Sequence, residues 1–173
     1  MNKGKLWDRY GATPDRWEYL KSIATSRPVW LFSKGPSFNK SFPWRDVPED
    51  AFIIAVNEAV EHVPGPDLSL TYDPNIRAHL INKGYASIMI SAIDNHWPDP
   101  KTSGDFAFIV AGELGIKHIT TVGLDFGVGN GFKYAHTSGN EYTTTETCDR
   151  AKKACLYFCD QYNIKLTRFN QPD

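Results

Sequence analysis

Apolar residues fall along this chain in short unbroken runs, and the stretches between them mix polar and apolar positions at helical spacing. The runs are 29–33 (VWLFS), 51–56 (AFIIAV), 68–72 (LSLTY), 87–91 (SIMIS) and 118–122 (HITTV), with a more polar last one at 165–169 (KLTRF). Continuous apolar runs of this length fit strands covered on both faces, as in a parallel sheet. The intervening segments carry helix signals. Thr13-Pro14-Asp15 supplies a capping hydroxyl, a proline at the first position and an acid, which predicts an N-terminal helix over 13–25. Asp73-Pro74 repeats the signal and predicts a helix to about Lys83, stopped by Gly84. Further helices are predicted over 104–114, ended by Gly115, and over 144–162, with a short one at 58–63. Pro64-Gly65-Pro66 is a firm break, and 41–50 is rich in turn formers and aromatics. Strands alternating with helices predict an α/β fold: a mostly parallel sheet of about six strands, helices on both faces, in a single domain spanning 1–173.

Composition narrows the function classes. Hydrophobic residues make up 41% of the 173 and charged residues 23%, ordinary for a globular protein. The formal net charge of −1 creates no global field toward nucleic acid or an acidic membrane. No apolar run approaches the roughly 20 residues that span a bilayer. The opening MNKGKLWDRYGATPDRWEYL lacks the apolar core of a signal peptide, so the expected location is cytoplasmic. Cys148, Cys155 and Cys159 lie at i, i+7 and i+11, which reads as a buried stripe on one helix face rather than a disulfide framework or a zinc site. Trp7, Trp17, Trp44 and Trp97 look exposed and leave room for a partner surface such as a homo-oligomer. Packing against their own loops is the preferred reading.

Chemistry gathers at the strand ends. Each predicted strand runs into polar or glycine residues: Ser33-Lys34-Gly35-Pro36-Ser37, then Asn57, Asp73, Ser91 and Gly123-Leu124-Asp125. In a parallel sheet these ends share one edge, where ligand pockets form. Gly35-Pro36-Ser37 is neither a Walker loop nor GxGxxG, but glycine allows close backbone approach and serine adds a hydroxyl. Thr102-Ser103-Gly104 opens a helix, so it is either an anion site at the positive dipole end or an ordinary cap. The glycine-rich loop 123–143 reads as a lid. It carries Tyr134 and His136, the latter a candidate base, with His96 a weaker one. His62, His79 and His118 read as surface or core residues. No spacing suggests a dedicated metal site. Asp73 and Asp125 would hold Mg²⁺ only through a bound phosphate.

These residues, in this order, resemble glycosyltransferase family 42, the bacterial lipooligosaccharide sialyltransferases. The matching elements are Gly35-Pro36-Ser37, Asn57, Tyr72-Asp73-Pro74, Thr102-Ser103-Gly104 and Gly123-Leu124-Asp125-Phe126-Gly127, covering roughly 29–169. A wider group that includes archaeal 6-hydroxymethyl-dihydropterin pyrophosphokinases is similar in its Gly-Pro-Ser and Thr-Ser-Gly elements. The resemblance implies a Rossmann-like nucleotide-binding fold. It implies nucleotide contacts for Gly35, Pro36, Ser37 and Asn57, donor contacts for Ser103 and Gly104, a phosphate contact for Tyr134, and a general-base role for His136. The chain departs from the family in three places. Lys34 stands where the sialyltransferases have Asn, Gly127 replaces the first lid tyrosine, and the lid is shorter. Lys34 would then replace the missing phosphate ligand, and a shorter lid favours hydrolysis or a different substrate.

Three functions follow as expectations. The first is a nucleotide-binding, glycosyltransferase-like transferase using a nucleotide-activated sugar, with no firmly implied cofactor. The second is a Mg²⁺-dependent pyrophosphokinase or other phosphoryl-transfer enzyme. The third is a non-catalytic nucleotide sensor or sequestering protein.

Overall fold

The structure, a computed structural model, describes residues 14–84, 89–91, 102–125, 132–133, 142–143 and 145–169. In chain order the elements are α1 (Pro14–Ser26), β1 (Val29–Phe32), β2 (Phe52–Val56), β3 (Leu68–Thr71), α2 (Pro74–Asn82) and β4 (Met89–Ser91). They continue with α3 (Ser103–Glu113), β5 (His118–Val122), β6 (Phe132–Lys133), β7 (Tyr142–Thr143), α4 (Thr145–Tyr162) and β8 (Lys165–Arg168). Short 3-10 turns occupy Trp44–Asp46 and Asn57–Glu61.

The main sheet has the strand order β4-β3-β2-β1-β5-β8. All five neighbouring pairs are parallel. The chain moves outward from β1 to β4, then returns to place β5 on the other side of β1. The connection order therefore reverses between β1 and β5, the kind of point beside which open α/β sheets place ligands.

Side-chain alternation along the strands divides the core in two. Leu31, Ile54, Leu70 and Ile119 face a cluster built with Trp17, Leu20 and Ile23 of α1, Phe106 through Ala111 of α3, and Cys155 and Cys159 of α4. Trp30, Phe32, Ala55 and Val122 face the other way, onto Phe38, Phe42, Ala59, Val60 and Leu80 of α2. Helix α3 is buried from Asp105 through Ala111, because it lies between the sheet and α4. Burying side chains such as Phe106 and Phe108 contributes about 1.5–3 kcal/mol each. Its close contact with α4 depends on Gly112, where a Cβ would lie 2.1 Å from Tyr162 Cγ.

The helix ends obey local rules. Asp73 Oδ1 accepts from the Asn75 amide at 2.7 Å, with Pro74 opening α2. Thr102 and Asp105 form a reciprocal capping box on α3. Gly115, at φ +83°, closes α3 while the Ile116 amide returns to Ala111 O at 3.0 Å.

The α/β class and the parallel pairing agree with the hydrophobic pattern, and Cys148, Cys155 and Cys159 are all buried as the stripe requires. Trp17 and Trp44 are packed, the reading preferred for them over a partner surface. Trp17 is 1% exposed and goes further, into the main core, with Leu20 and Ile23 on the inner face of α1. Trp44 packs among Phe32, Phe38 and Phe42 at ring separations of 4.9–5.9 Å. Trp7 and Trp97 lie outside the described residues. Within the loop expected over 123–143, β6 and β7 pair antiparallel, Phe132 opposite Thr143. Strands of two residues are too short to leave a periodic signal.

Candidate functional site at the sheet edge

The loops that follow β1 and β5 are joined by direct contacts. Ser33 N donates to Val122 O and Gly35 N to Gly123 O, both at 2.8 Å, which extends the sheet beyond its last regular pair. The chain then turns, with Phe38 N donating to Gly35 O at 3.0 Å. This brings Ser37 to Asp125. The Ser37 amide donates to Asp125 Oδ2 at 2.7 Å, the Ser37 hydroxyl donates to Asp125 Oδ1, and the Gly123 amide donates to Ser37 Oγ at 2.7 Å. Asp125 is 7% exposed.

Glycine is required on both sides of this clasp. A Cβ on Gly35 would stand 2.3 Å from Gly123 O and 2.6 Å from Asp125 Oδ2, and one on Gly123 would stand 2.0 Å from Ser33 O. Gly123 also has φ +75°. The close approach at Gly35 is therefore made by the neighbouring loop. Ser37, Gly35 and Asp125 form one unit, in which the hydroxyl and the carboxylate are directed at each other.

A second pair lies at the end of β2. Asn57 adopts φ +53°, a left-handed conformation that asparagine tolerates better than most residues. Its Nδ2 donates to Ser103 Oγ at 2.7 Å, joining the end of β2 to the first turn of α3. Asn57 Oδ1 is buried with no hydrogen-bond partner among the described residues, and an unspent buried acceptor costs about 1–3 kcal/mol. Gly104 keeps the same turn of α3 close to its neighbours, because a Cβ there would lie 3.2 Å from both Cys155 Sγ and Leu124 Cδ1.

The charges at this edge are matched. Lys34 Nζ lies 3.2 Å from Glu58 Oε2 and 3.3 Å from Oε1, with both side chains largely buried. A phosphate reaching Lys34 would share it with Glu58. Asp105 accepts from the Thr102 amide and hydroxyl, both at 2.6 Å. Burial first, then the nearby Asp105 and Cys159, push the Cys155 thiol well above its ordinary range. It therefore stays protonated and is a packing group, not a nucleophile.

The edge thus brings together Lys34, Gly35, Ser37 and Asp125, and separately Asn57, Ser103 and Gly104. Pro36 lies in the turn, its carbonyl accepting from Asn39 Nδ2 at 3.2 Å. Asp73 is the N-cap of α2. Both acids expected to assist Mg²⁺ are engaged, one in capping and one in the clasp. Among the described residues no group of three or more His, Cys, Asp or Glu could hold a metal ion. Tyr134, His136 and His96 lie outside the described residues. Glu58 and Asp105 were not singled out from the sequence. Thr102-x-x-Asp105 carries the capping-box spacing that marks the second of them, whereas the pairing of Lys34 with Glu58 has no sequence signature.

Among the described residues no helix is long and apolar enough to cross a membrane. No protein-family model matches the chain, and no curated protein matches it in sequence.

Proposed function

We propose that this chain is a Rossmann-like nucleotide-binding transferase, glycosyltransferase-like in using a nucleotide-activated sugar, with its ligand at the C-terminal edge of the sheet. The observation that carries this reading is Asn57. It is held in a left-handed conformation against Ser103, with a buried carbonyl oxygen that has no partner among the described residues, beside the point where strand order reverses. Backbone strain and an unspent buried acceptor at such a point are features of a ligand site. A donor on the ligand, such as an amino or hydroxyl group of a nucleoside, would satisfy Asn57 Oδ1. The Ser103 and Gly104 amides at the start of α3 and the Lys34 ammonium would face its phosphate. Pro36 and the Gly35–Ser37 backbone would border the nucleoside. Tyr134 would assist the leaving phosphate and His136 would deprotonate the acceptor. A cytoplasmic location and a small-molecule rather than nucleic-acid partner belong to the same proposal.

The test is thermal unfolding of the full chain with CMP, CDP, UDP, GDP, ATP with and without Mg²⁺, and a pterin. A nucleotide at 100 times its Kd stabilises the folded state by about 2.7 kcal/mol. For a chain of this size that is a rise in Tm of about 5–10 °C. The rise should shrink in Asn57→Ala for the ligand that produces it. No shift with any member of the panel overturns the proposal.

A further inference from the structure

The turns that lead into β1 and β5 lie side by side, because those strands are parallel neighbours with Trp30 opposite Thr120. They sit at the N-terminal edge of the sheet, away from Ser37 and Asp125. Between them is a cavity of about 250 Å³, walled by Thr25 at the end of α1, Arg27 in the turn to β1, Gly115 and Lys117 in the α3–β5 turn, and His118 at the start of β5. Among the described residues its wall contains two permanent cations and a histidine, and no carboxylate. In a chain of net charge −1 this is a local excess of positive charge.

Lys117 and Arg27 have donors to spare. Lys117 Nζ donates to the Tyr162 carbonyl at 2.9 Å, which orients the ammonium at the end of α4 without a counter-charge and leaves two N–H groups free. One ring nitrogen of His118 lies 2.9 Å from Thr167 Oγ1, leaving the other open. The Arg27 side chain makes no hydrogen bond or ion pair among the described residues, so its guanidinium fork is unspent. That fork matches two oxygens of a phosphate at once. The volume lies below the roughly 300–1,000 Å³ that drug-sized ligands occupy, which suits a small anion.

We propose that this cavity binds a small phosphate-bearing anion through Arg27, Lys117 and His118, as a second site distinct from the C-terminal edge. It depends on none of the residues assigned to nucleotide binding.

The test is an amide-resolved NMR titration of the full chain with inorganic phosphate, with glycerol phosphate as a monoester, and with chloride at matched ionic strength. Phosphate should produce saturable shifts at Gly115, Ile116, Lys117 and His118, with Gly35 and Gly123 unmoved. Arg27→Gln should weaken binding roughly tenfold, the loss of one charge-assisted contact. Arg27→Lys, which keeps the charge but loses the fork, should fall between that variant and the parent. Tighter saturation by the monoester identifies an ester ligand, and tighter saturation by inorganic phosphate identifies the free ion. Shifts that chloride reproduces, or an Arg27→Gln/Lys117→Gln variant that keeps the parent's fold and phosphate affinity, would overturn the site.

Discussion

Replacing Asp125 by alanine isolates the contact that joins the two loops of the candidate site. The carboxylate is 7% exposed and accepts from both the amide and the hydroxyl of Ser37. A hydrogen bond to a charged group contributes about 1.5–3 kcal/mol. Two are lost in Asp125→Ala, and water reaching the vacated position replaces part of one, so the expected loss is about 3–4 kcal/mol. Asp125→Asn retains an acceptor for the Ser37 amide, and its loss should be only about 1–2 kcal/mol by the same values. Urea unfolding followed by tryptophan fluorescence reads the change directly, because Trp44 packs on Phe38, the residue after Ser37. The midpoint should fall while the slope stays constant, since the area exposed on unfolding is unaltered. Combining Asp125→Ala with Ser37→Ala should give a coupling of about 1–3 kcal/mol, as expected for residues in direct contact. A loss under about 1 kcal/mol for Asp125→Ala, or strictly additive losses in the pair, would show that the loops are held by something else.

Gly112→Ala should destabilise by about 1–3 kcal/mol through overpacking against the Tyr162 ring, although alanine in a helix ordinarily gains nearly 1 kcal/mol over glycine. A stabilised variant in chemical denaturation would contradict the α3–α4 packing. Burial pushes the Cys159 thiol from 9.0 up to about 11, and burial together with Glu113 pushes the Tyr162 hydroxyl from 10.0 up to about 12. Both are acids whose folded values are raised. Their contribution to stability is therefore complete below about pH 9 and is lost as pH rises through 11 and 12. Tm measured from pH 8 to 11 should fall steeply above 9, less so in Cys159→Ala, and a flat profile would refute the assignment. If His136 is the general base of the proposed transfer, His136→Ala should lower turnover by about 10²–10⁴-fold with nucleotide affinity intact, and near-normal turnover removes it from the mechanism.

The elements were legible because each rests on local physics. Continuous apolar runs mark strands covered on both faces, and Asp73-Pro74 and Thr102-x-x-Asp105 mark helix starts through bonds to their own next few residues. Trp17 was legible in principle, since Leu20, Ile23 and Ala24 follow it at helical spacing, but the weakly amphipathic sequence of α1 gave no sign that it enters the main core.

Sequence alone therefore determined the α/β class, the parallel sheet and the gathering of polar residues at strand ends, because burial and capping act over a few neighbouring positions. It could not assign roles at that edge. Ser37 and Asp125 stand 88 residues apart, Asn57 and Ser103 46, and Lys34 and Glu58 24. Gly35 carried the same letter whether a ligand or the Gly123 carbonyl pressed against it. Only the order β2-β1-β5 in the folded sheet decided that, because it sets which strand ends become neighbours and which polar groups find each other before any ligand arrives.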